Sequence, residues 1–212
     1  MSAFEGEALS CARGGRVVFS RLDFRVRGGE ALVLVGPNGS GKSSLLRLMA
    51  GLSAAASGRL RWNGEAVAAD PTAHRRRLHY VGHLDAVKPA LDAREILLFT
   101  ARLRAGGGKA RAAVSAALET MGIAHLGDVP TRYFSAGQRR RLALARLFVA
   151  PAPLWLLDEP RTALDAEAVA RLDNAIAAHR HGGGLVVAAM HGGPYPPEAT
   201  VVDLAAFSSP LQ

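Results

Sequence analysis

The chain of 212 residues contains one cysteine, Cys11, which excludes an internal disulfide framework and a cysteine-based metal site. A small buried hydrophobe is its expected role. The histidines show no zinc-like spacing. No apolar run approaches the roughly 20 residues needed to cross a bilayer, and the opening MSAFEGEALS lacks the basic start and apolar core of a secretion signal. The expectation is a cytosolic chain, or one held at a membrane by another polypeptide. Internal repeats are lacking too, and the AAA and GGG tracts are too short to count as low complexity.

What is present is enough for a sizeable core. Hydrophobic residues make up 49% of the chain, and the length suits one domain, or one domain with a subdomain. A formal charge of +8 would suit nucleic acid, anionic lipid or a nucleotide. The arginines are spread along the whole chain, however, as in an Ala- and Arg-rich compositional habit, and no nucleic acid is expected.

The opening third reads as short strands at residues 8–11, 17–19, 22–26 and 31–35, with Gly14-Gly15 and Gly28-Gly29 as turns. The run ALVLV at 31–35 lacks alternation, as expected of a strand covered on both faces, and a helix over about 42–50 follows it. Asn63-Gly64 predicts a hairpin across residues 59–67. The middle is helical at 92–104 and 109–121, separated by Gly106-Gly107-Gly108. Next come the strand PLWLLD at 153–158, a helix from about 166 to 181, and the strands LVVAA and ATVVDL. This order predicts an α/β chain forming one domain over residues 1–212. A mostly parallel sheet is its core, with an N-terminal antiparallel β subdomain and an inserted α-helical subdomain at about 88–150.

Three stretches carry chemistry. In GPNGSGKSS (Gly36, Pro37, Asn38, Gly39, Ser40, Gly41, Lys42, Ser43 and Ser44), the spacing G-x-x-x-x-G-K-S between a strand and a helix is that of the phosphate loop of a P-loop NTPase. Its backbone N–H groups would meet phosphate oxygens, Lys42 would reach the terminal phosphates, and the Ser43 hydroxyl would ligate Mg2+. LLDEP ends a buried-type strand in two carboxylates: Asp158 would hold the metal through water, and Glu159 would orient or deprotonate the attacking water. His191 follows the strand LVVAA and should reach the same carboxyl edge, where it would hydrogen-bond the terminal phosphate. A second anion site is expected where FSAGQRRRLALARL begins a helix, since Ser135, Gly137 and Gln138 would leave that positive end open. Cations in the first turn oppose the helix dipole, so Arg139-Arg140-Arg141 is read as a phosphate-holding or partner-facing run, or as a solvated face.

This series, phosphate loop, SAGQ helix start, LLDEP, ALD turn, then strand and histidine, resembles the ATP-binding subunits of ABC transporters over nearly the whole chain. Longer agreement, in LRWNGEAV, LHYVGHLDAVKPALDAREILLF and FSAGQRRRLALARLFVAPAPLWLLDEPRTALD, resembles the haem-export CcmA family of cytochrome c maturation. The resemblance implies ATP and Mg2+ as ligands and a head-to-tail homodimer in which Ser135 and Gly137 of one copy close over ATP held by the other. It also implies integral membrane permease subunits on separate chains, met through a groove at residues 83–98, and a peripheral place on the cytoplasmic side of the inner membrane. The sequence departs from the ABC pattern at His83, where glutamine is usual, and near Cys11 to Arg13, where an adenine-stacking aromatic is usual. The alternatives are a soluble ABC-type ATPase acting on nucleic acid or ribosomes, and an ABC subunit for a different substrate.

Overall fold

A computed structural model describes residues 2–105 and 110–207; the expected glycine separator at 106–108 lies outside them. Among the described residues, five strands form a parallel sheet: β3 (Ala31–Val35), β6 (Leu78–Val81), β7 (Leu154–Asp158), β8 (Leu185–Ala189) and β9 (Thr200–Asp203), in the order β6-β7-β8-β3-β9. A second, antiparallel sheet has the order β2-β1-β4-β5, from β1 (Ala3–Arg13), β2 (Arg16–Arg27), β4 (Ser57–Trp62) and β5 (Glu65–Ala66). The described helices are α1 (Lys42–Met49), α2 (Pro71–Arg76), α3 (Ala93–Ala105), α4 (Ala110–Thr120), α5 (Ala136–Ala145) and α6 (Ala166–His181).

The chain divides into two compact units. One comprises residues 1–82, 153–159 and 177–212 and holds both sheets; the other comprises residues 83–152 and 160–176 and is helical. In the first unit, α1 is buried between the sheets, and alternation explains how. Leu32 and Leu34 of β3, Leu154 and Leu156 of β7, and Leu185 and Val187 of β8 join one core with Leu45, Leu46 and Met49 of α1 and Phe4, Leu22 and Trp62 of the antiparallel sheet. The intervening residues of the same strands, Val33, Trp155, Leu157 and Val186, are buried on the opposite face.

The antiparallel sheet corrects the sequence reading. Where three short strands were expected at 8–11, 17–19 and 22–26, two long ones run, of 11 and 12 residues. Register shifts between Gly6 and Leu9, and between Leu9 and Cys11, interrupt the two-residue alternation, and Ala8 and Arg21 take left-handed backbone at φ 46 and φ 53. A bulge shifts which side chains face inward, so a single strand reads as fragments. The outer face carries interleaved charge: Arg25 pairs with Glu5, and Arg59 and Arg61 both pair with Glu7. The Arg59 guanidinium holds the Glu7 carboxyl below its usual range. Part of the basic surplus is thus matched on the molecule itself. Cys11 is buried, as expected.

Two histidines in this unit are kept neutral. His74 is fully buried, its Nε2 lies 2.7 Å from Met49 O, and its Nδ1 has no partner among the described residues. His179 stacks on Trp155 with ring centroids 4.0 Å apart. Burial, the largest cause in each case, pulls both imidazoles below the usual histidine value. A depressed histidine pKa means that the unfolded chain binds protons first as the pH falls, so stability is complete above about pH 6.5 and declines below it. The urea midpoint is expected to fall between pH 7.5 and pH 5.5, and His74→Gln and His179→Gln should each flatten that slope while lowering stability at pH 7.5. An unchanged slope in both variants would contradict this assignment.

Candidate active site

Because β7, β8 and β3 are parallel neighbours, their carboxyl ends meet at one edge of the sheet. β3 leads into the glycine-rich loop, β7 ends in Asp158, and β8 is followed by Met190 and His191. The loop turns through left-handed backbone at Gly36, Gly39 and Gly41, with φ of 132, 84 and 100. A side chain at 41 would come within 2.6 Å of Val18, so only glycine lets the loop lie against the end of β2. Gly41 is the N-cap of α1 and offers no side-chain cap. Among the described residues, the N–H groups of Gly41, Lys42, Ser43 and Ser44 have no protein acceptor, so four donors and the positive helix end point to one place.

The side chains are arranged around those donors. Lys42, 6% exposed, donates from Nζ to Gly36 O at 2.7 Å and Pro37 O at 3.0 Å. An ammonium has three protons, so one remains for a ligand. Ser43 Oγ donates to Asp158 Oδ1 at 3.0 Å, and Asp158 is 2% exposed. His191 Nε2 lies 2.8 Å from Glu159 Oε1. Since an ionised carboxylate only accepts, Nε2 carries the proton, and the expected phosphate-contacting histidine here holds the neighbouring carboxylate. Glu159 sits at φ 47, in the left-handed region that costs a non-glycine residue about 1–3 kcal/mol, and its N–H donates to Ala189 O at 3.0 Å. Ser40 Oγ is buried without a partner among the described residues, 2.8 Å from where a Cβ on Gly36 would stand. Sequence reading gave Ser40 no separate role, because a serine within a glycine-rich loop has no pattern of its own.

Ser135, Gly137 and Gln138 belong to the other unit. Their helix end is less open than expected. Ser135 Oγ accepts from Gln138 N–H at 3.2 Å and Gln138 Oε1 accepts from Ser135 N–H at 2.8 Å, a capping box that satisfies two donors. Among the described residues, the N–H groups of Ala136 and Gly137 keep no protein acceptor. A Cβ on Gly137 would lie 2.8 Å from Ala163 O. Around them is a polar hollow of about 200 Å³ that also admits His125, Arg141 and Asp165. The Ala168 N–H, then the Arg141 guanidinium, hold the Asp165 carboxyl below its usual range. Arg141 comes from the basic run and Asp165 from the ALD turn, whereas no motif marked His125 in the sequence.

The arginine run corrects another expectation. Arg139 donates to Phe134 O at 2.6 Å, Arg141 pairs with Asp165, and Arg140 is buried with its guanidinium on Asp85 and Pro160 O. It is neither a solvated face nor a free phosphate clamp. His83 and the segment after it lead to α3, where Ala86, Lys88, Leu91, Ile96, Phe99, Thr100 and Arg146 line a groove of about 320 Å³.

Known proteins resemble this chain in sequence and in fold. Residues 19–162 match the model of the ABC transporter family. The cytochrome c biogenesis ATP-binding export protein CcmA of Rhodospirillum rubrum is 55% identical over 205 residues, covering 97% of this chain and 87% of that protein. CcmA of Paramagnetospirillum magneticum is 55% identical over 191 residues, covering 90% of this chain and 88% of its own length. A solved structure, a putative ABC transporter ATP-binding protein from Pyrococcus furiosus, superposes with a TM-score of 0.85 at 20% identity, covering 98% of this chain and 100% of that one. At that identity the superposition speaks for the fold, an ABC-type P-loop NTPase. With the family model matched across the loop, the α5 start and the two carboxylates, this chain is an ATP-binding member of the ABC transporter family and belongs, within it, to the CcmA proteins.

Proposed function

We propose that the chain is the ATP-hydrolysing subunit of an export complex serving cytochrome c biogenesis, with haem, or a haem-handling partner, as what the complex moves or resets. The observation that carries the catalytic part is the pair of contacts at one sheet edge, Ser43 with Asp158 and His191 with Glu159, beside a loop whose N–H groups are free of protein acceptors. Triphosphate oxygens take those N–H groups, and the third proton of Lys42 turns to the terminal phosphates. The Ser43 hydroxyl and the Asp158 carboxylate are hard oxygen ligands, a donor set that suits Mg2+ with the remaining positions left to phosphate and water. Bound there, Mg2+ supplies charge neutralisation on the phosphate oxygens.

Glu159 orients a water and accepts its proton as the water oxygen bonds to the γ-phosphorus and the bond to the bridging oxygen breaks. Charge building on the ADP oxygen is met by Lys42 and the loop N–H groups. His191 leaves Glu159 for the γ-phosphate when the nucleotide binds, which frees the carboxylate to face the water. Among the described residues the Ser135 end of α5 has two N–H groups without a protein acceptor, which suits phosphate oxygens held by a second copy in a head-to-tail homodimer on ATP. The helical unit serves as the inserted subdomain of a single nucleotide-binding domain. No described helix is long and apolar enough to cross a membrane, and the permease subunits are taken to be separate chains, as the resemblance to ABC transporter ATP-binding subunits implies. Their seat is the groove beside Phe99, and the chain sits at the cytoplasmic face of the inner membrane.

Glu159→Gln keeps the shape of the side chain and removes the base. Its turnover should fall by about 10²-fold or more, with an ATP-bound dimer accumulating on size exclusion; full activity would remove Glu159 from the role. Mixing Ser135→Arg chains with Lys42→Ala chains should restore at most one composite site per dimer, read as ATP hydrolysis against mixing ratio. Normal two-site activity from that mixture would rule out the head-to-tail arrangement. Purified with its membrane partners, the complex should hydrolyse ATP faster when haem is supplied, and indifference to haem would leave the ATPase assignment standing while removing the cargo.

A further inference from the structure

The hairpin that joins β1 to β2 sets two arginines opposite one another beside the phosphate loop. Arg13 and Arg16 are paired in the antiparallel register, with Gly14 and Gly15 turning between them through left-handed backbone. Like charges directly across a strand pair are destabilising. No carboxylate offsets these two: residues 12–22 contain no acid, and among the described residues neither arginine forms an ion pair. Both side chains are exposed.

The register also gives the side on which they stand. Cys11 is paired with Phe19, and the shift in register after it adds Val18 to β2, so β1 itself runs regularly from Cys11 to Arg13. Successive residues of a strand face opposite ways, which puts Arg13 on the face of Cys11. The Cys11 thiol agrees: burial pushes it up, and the Arg13 charge pulls it the other way. That face lies on the start of α1, since a Cβ on Gly41 would come within 2.6 Å of Val18 and 3.0 Å of Phe19. Arg13 therefore extends it past its buried part, at the edge of the phosphate loop, and hairpin and loop belong to the same compact unit.

This end of the site has no ring to offer. Residues 12–18 and 36–44 contain no aromatic, and Phe19 is fully buried. The N–H groups of residues 41–44 and the Lys42 ammonium bind phosphate and are indifferent to the base. Asp158, Glu159 and His191 stand at the sheet edge, where the γ end of a nucleotide belongs.

We propose that the nucleoside leaves the loop on the hairpin side, that Arg13 holds it by laying its guanidinium on the face of the base while Arg16 adds charge toward the α-phosphate, and that the chain consequently takes nucleoside triphosphates whatever their base. A guanidinium is planar and always charged and stacks on aromatic faces. Stacking tolerates every base, because each has a π-face. Discrimination needs polar groups fixed against the base edge, and Val17 and Val18 supply none. GTP, CTP and UTP are then hydrolysed as ATP is, with water bonding to the γ-phosphorus and the nucleoside diphosphate leaving. The inference rests on the phosphate loop as the nucleotide site.

Titration calorimetry of the whole chain with Mg2+ tests it. The Kd values for ATP, GTP, CTP and UTP should agree within about threefold, and so should kcat/KM. Arg13→Ser, at an exposed hairpin end, should leave the melting temperature in place and weaken all four nucleotides about tenfold, the scale of one lost stack. Inorganic tripolyphosphate, which has no base, should bind that variant within about twofold of the unmodified chain. Arg13→Tyr, which restores a stacking face, should recover the affinity for ATP and GTP. ATP bound more than about tenfold tighter than CTP and UTP by the unmodified chain overturns the base-indifferent reading and leaves the phosphate loop standing. Unchanged affinities in Arg13→Ser, or tripolyphosphate weakened as much as ATP, overturn the stacking role of Arg13. Nucleotide affinities untouched by Lys42→Ala, or no binding at all, remove the loop assignment and this inference with it.

Discussion

The common direction of β7, β8 and β3 is the constraint on which the active site depends. Parallel strands deliver their carboxyl ends to the same edge, so the loop after Val35, the carboxylate of Asp158 and the residues after Ala189 come together although they lie far apart in the sequence. Reversing any one of the three would send its functional residue to the opposite edge. The strands hold that order because both faces are buried: Leu32, Leu154 and Val187 on one side, Val33, Trp155 and Val186 on the other.

Within that frame the electrostatics are arranged before any ligand arrives. Lys42 and Asp158 are both almost fully buried, and each is satisfied by a neighbour: Lys42 by two loop carbonyls, Asp158 by the Ser43 hydroxyl. Buried charges that are hydrogen-bonded keep their geometry, so little reorganisation is left for the moment of reaction. The strain at Glu159 belongs to the same pattern. A non-glycine residue persists in left-handed backbone where its surroundings over-determine it, as the Ala189 carbonyl does here.

The arginines do quieter work. On the antiparallel sheet they alternate with Glu5 and Glu7, and in the helical unit they hold backbone carbonyls and carboxylates, from Phe134 O to Asp165 and Asp173. A planar guanidinium holds its several donors in fixed directions and so ties two segments with a defined geometry, whereas an ammonium is a point charge with rotatable donors. That chemistry explains how a strongly basic chain uses much of its charge internally.

The sequence by itself determined the phosphate loop, the two carboxylates at the end of LLDEP, the histidine after LVVAA and the alternation of strand and helix. Each of these is a local pattern, fixed by spacing along the chain or by the conformational freedom of glycine. The unity of β1 and of β2 was hidden, because bulges at Ala8 and Arg21 break the two-residue period from which strands are read. Only the tertiary structure decided that His191 rests on Glu159, that the SAGQ helix start is partly closed by its own capping box, and that Arg140 is buried against Asp85 and Pro160. A run of three arginines looks the same whether it faces water or carboxylates. The side that each residue of a helix presents is set by what packs against it, and that partner lies elsewhere in the chain.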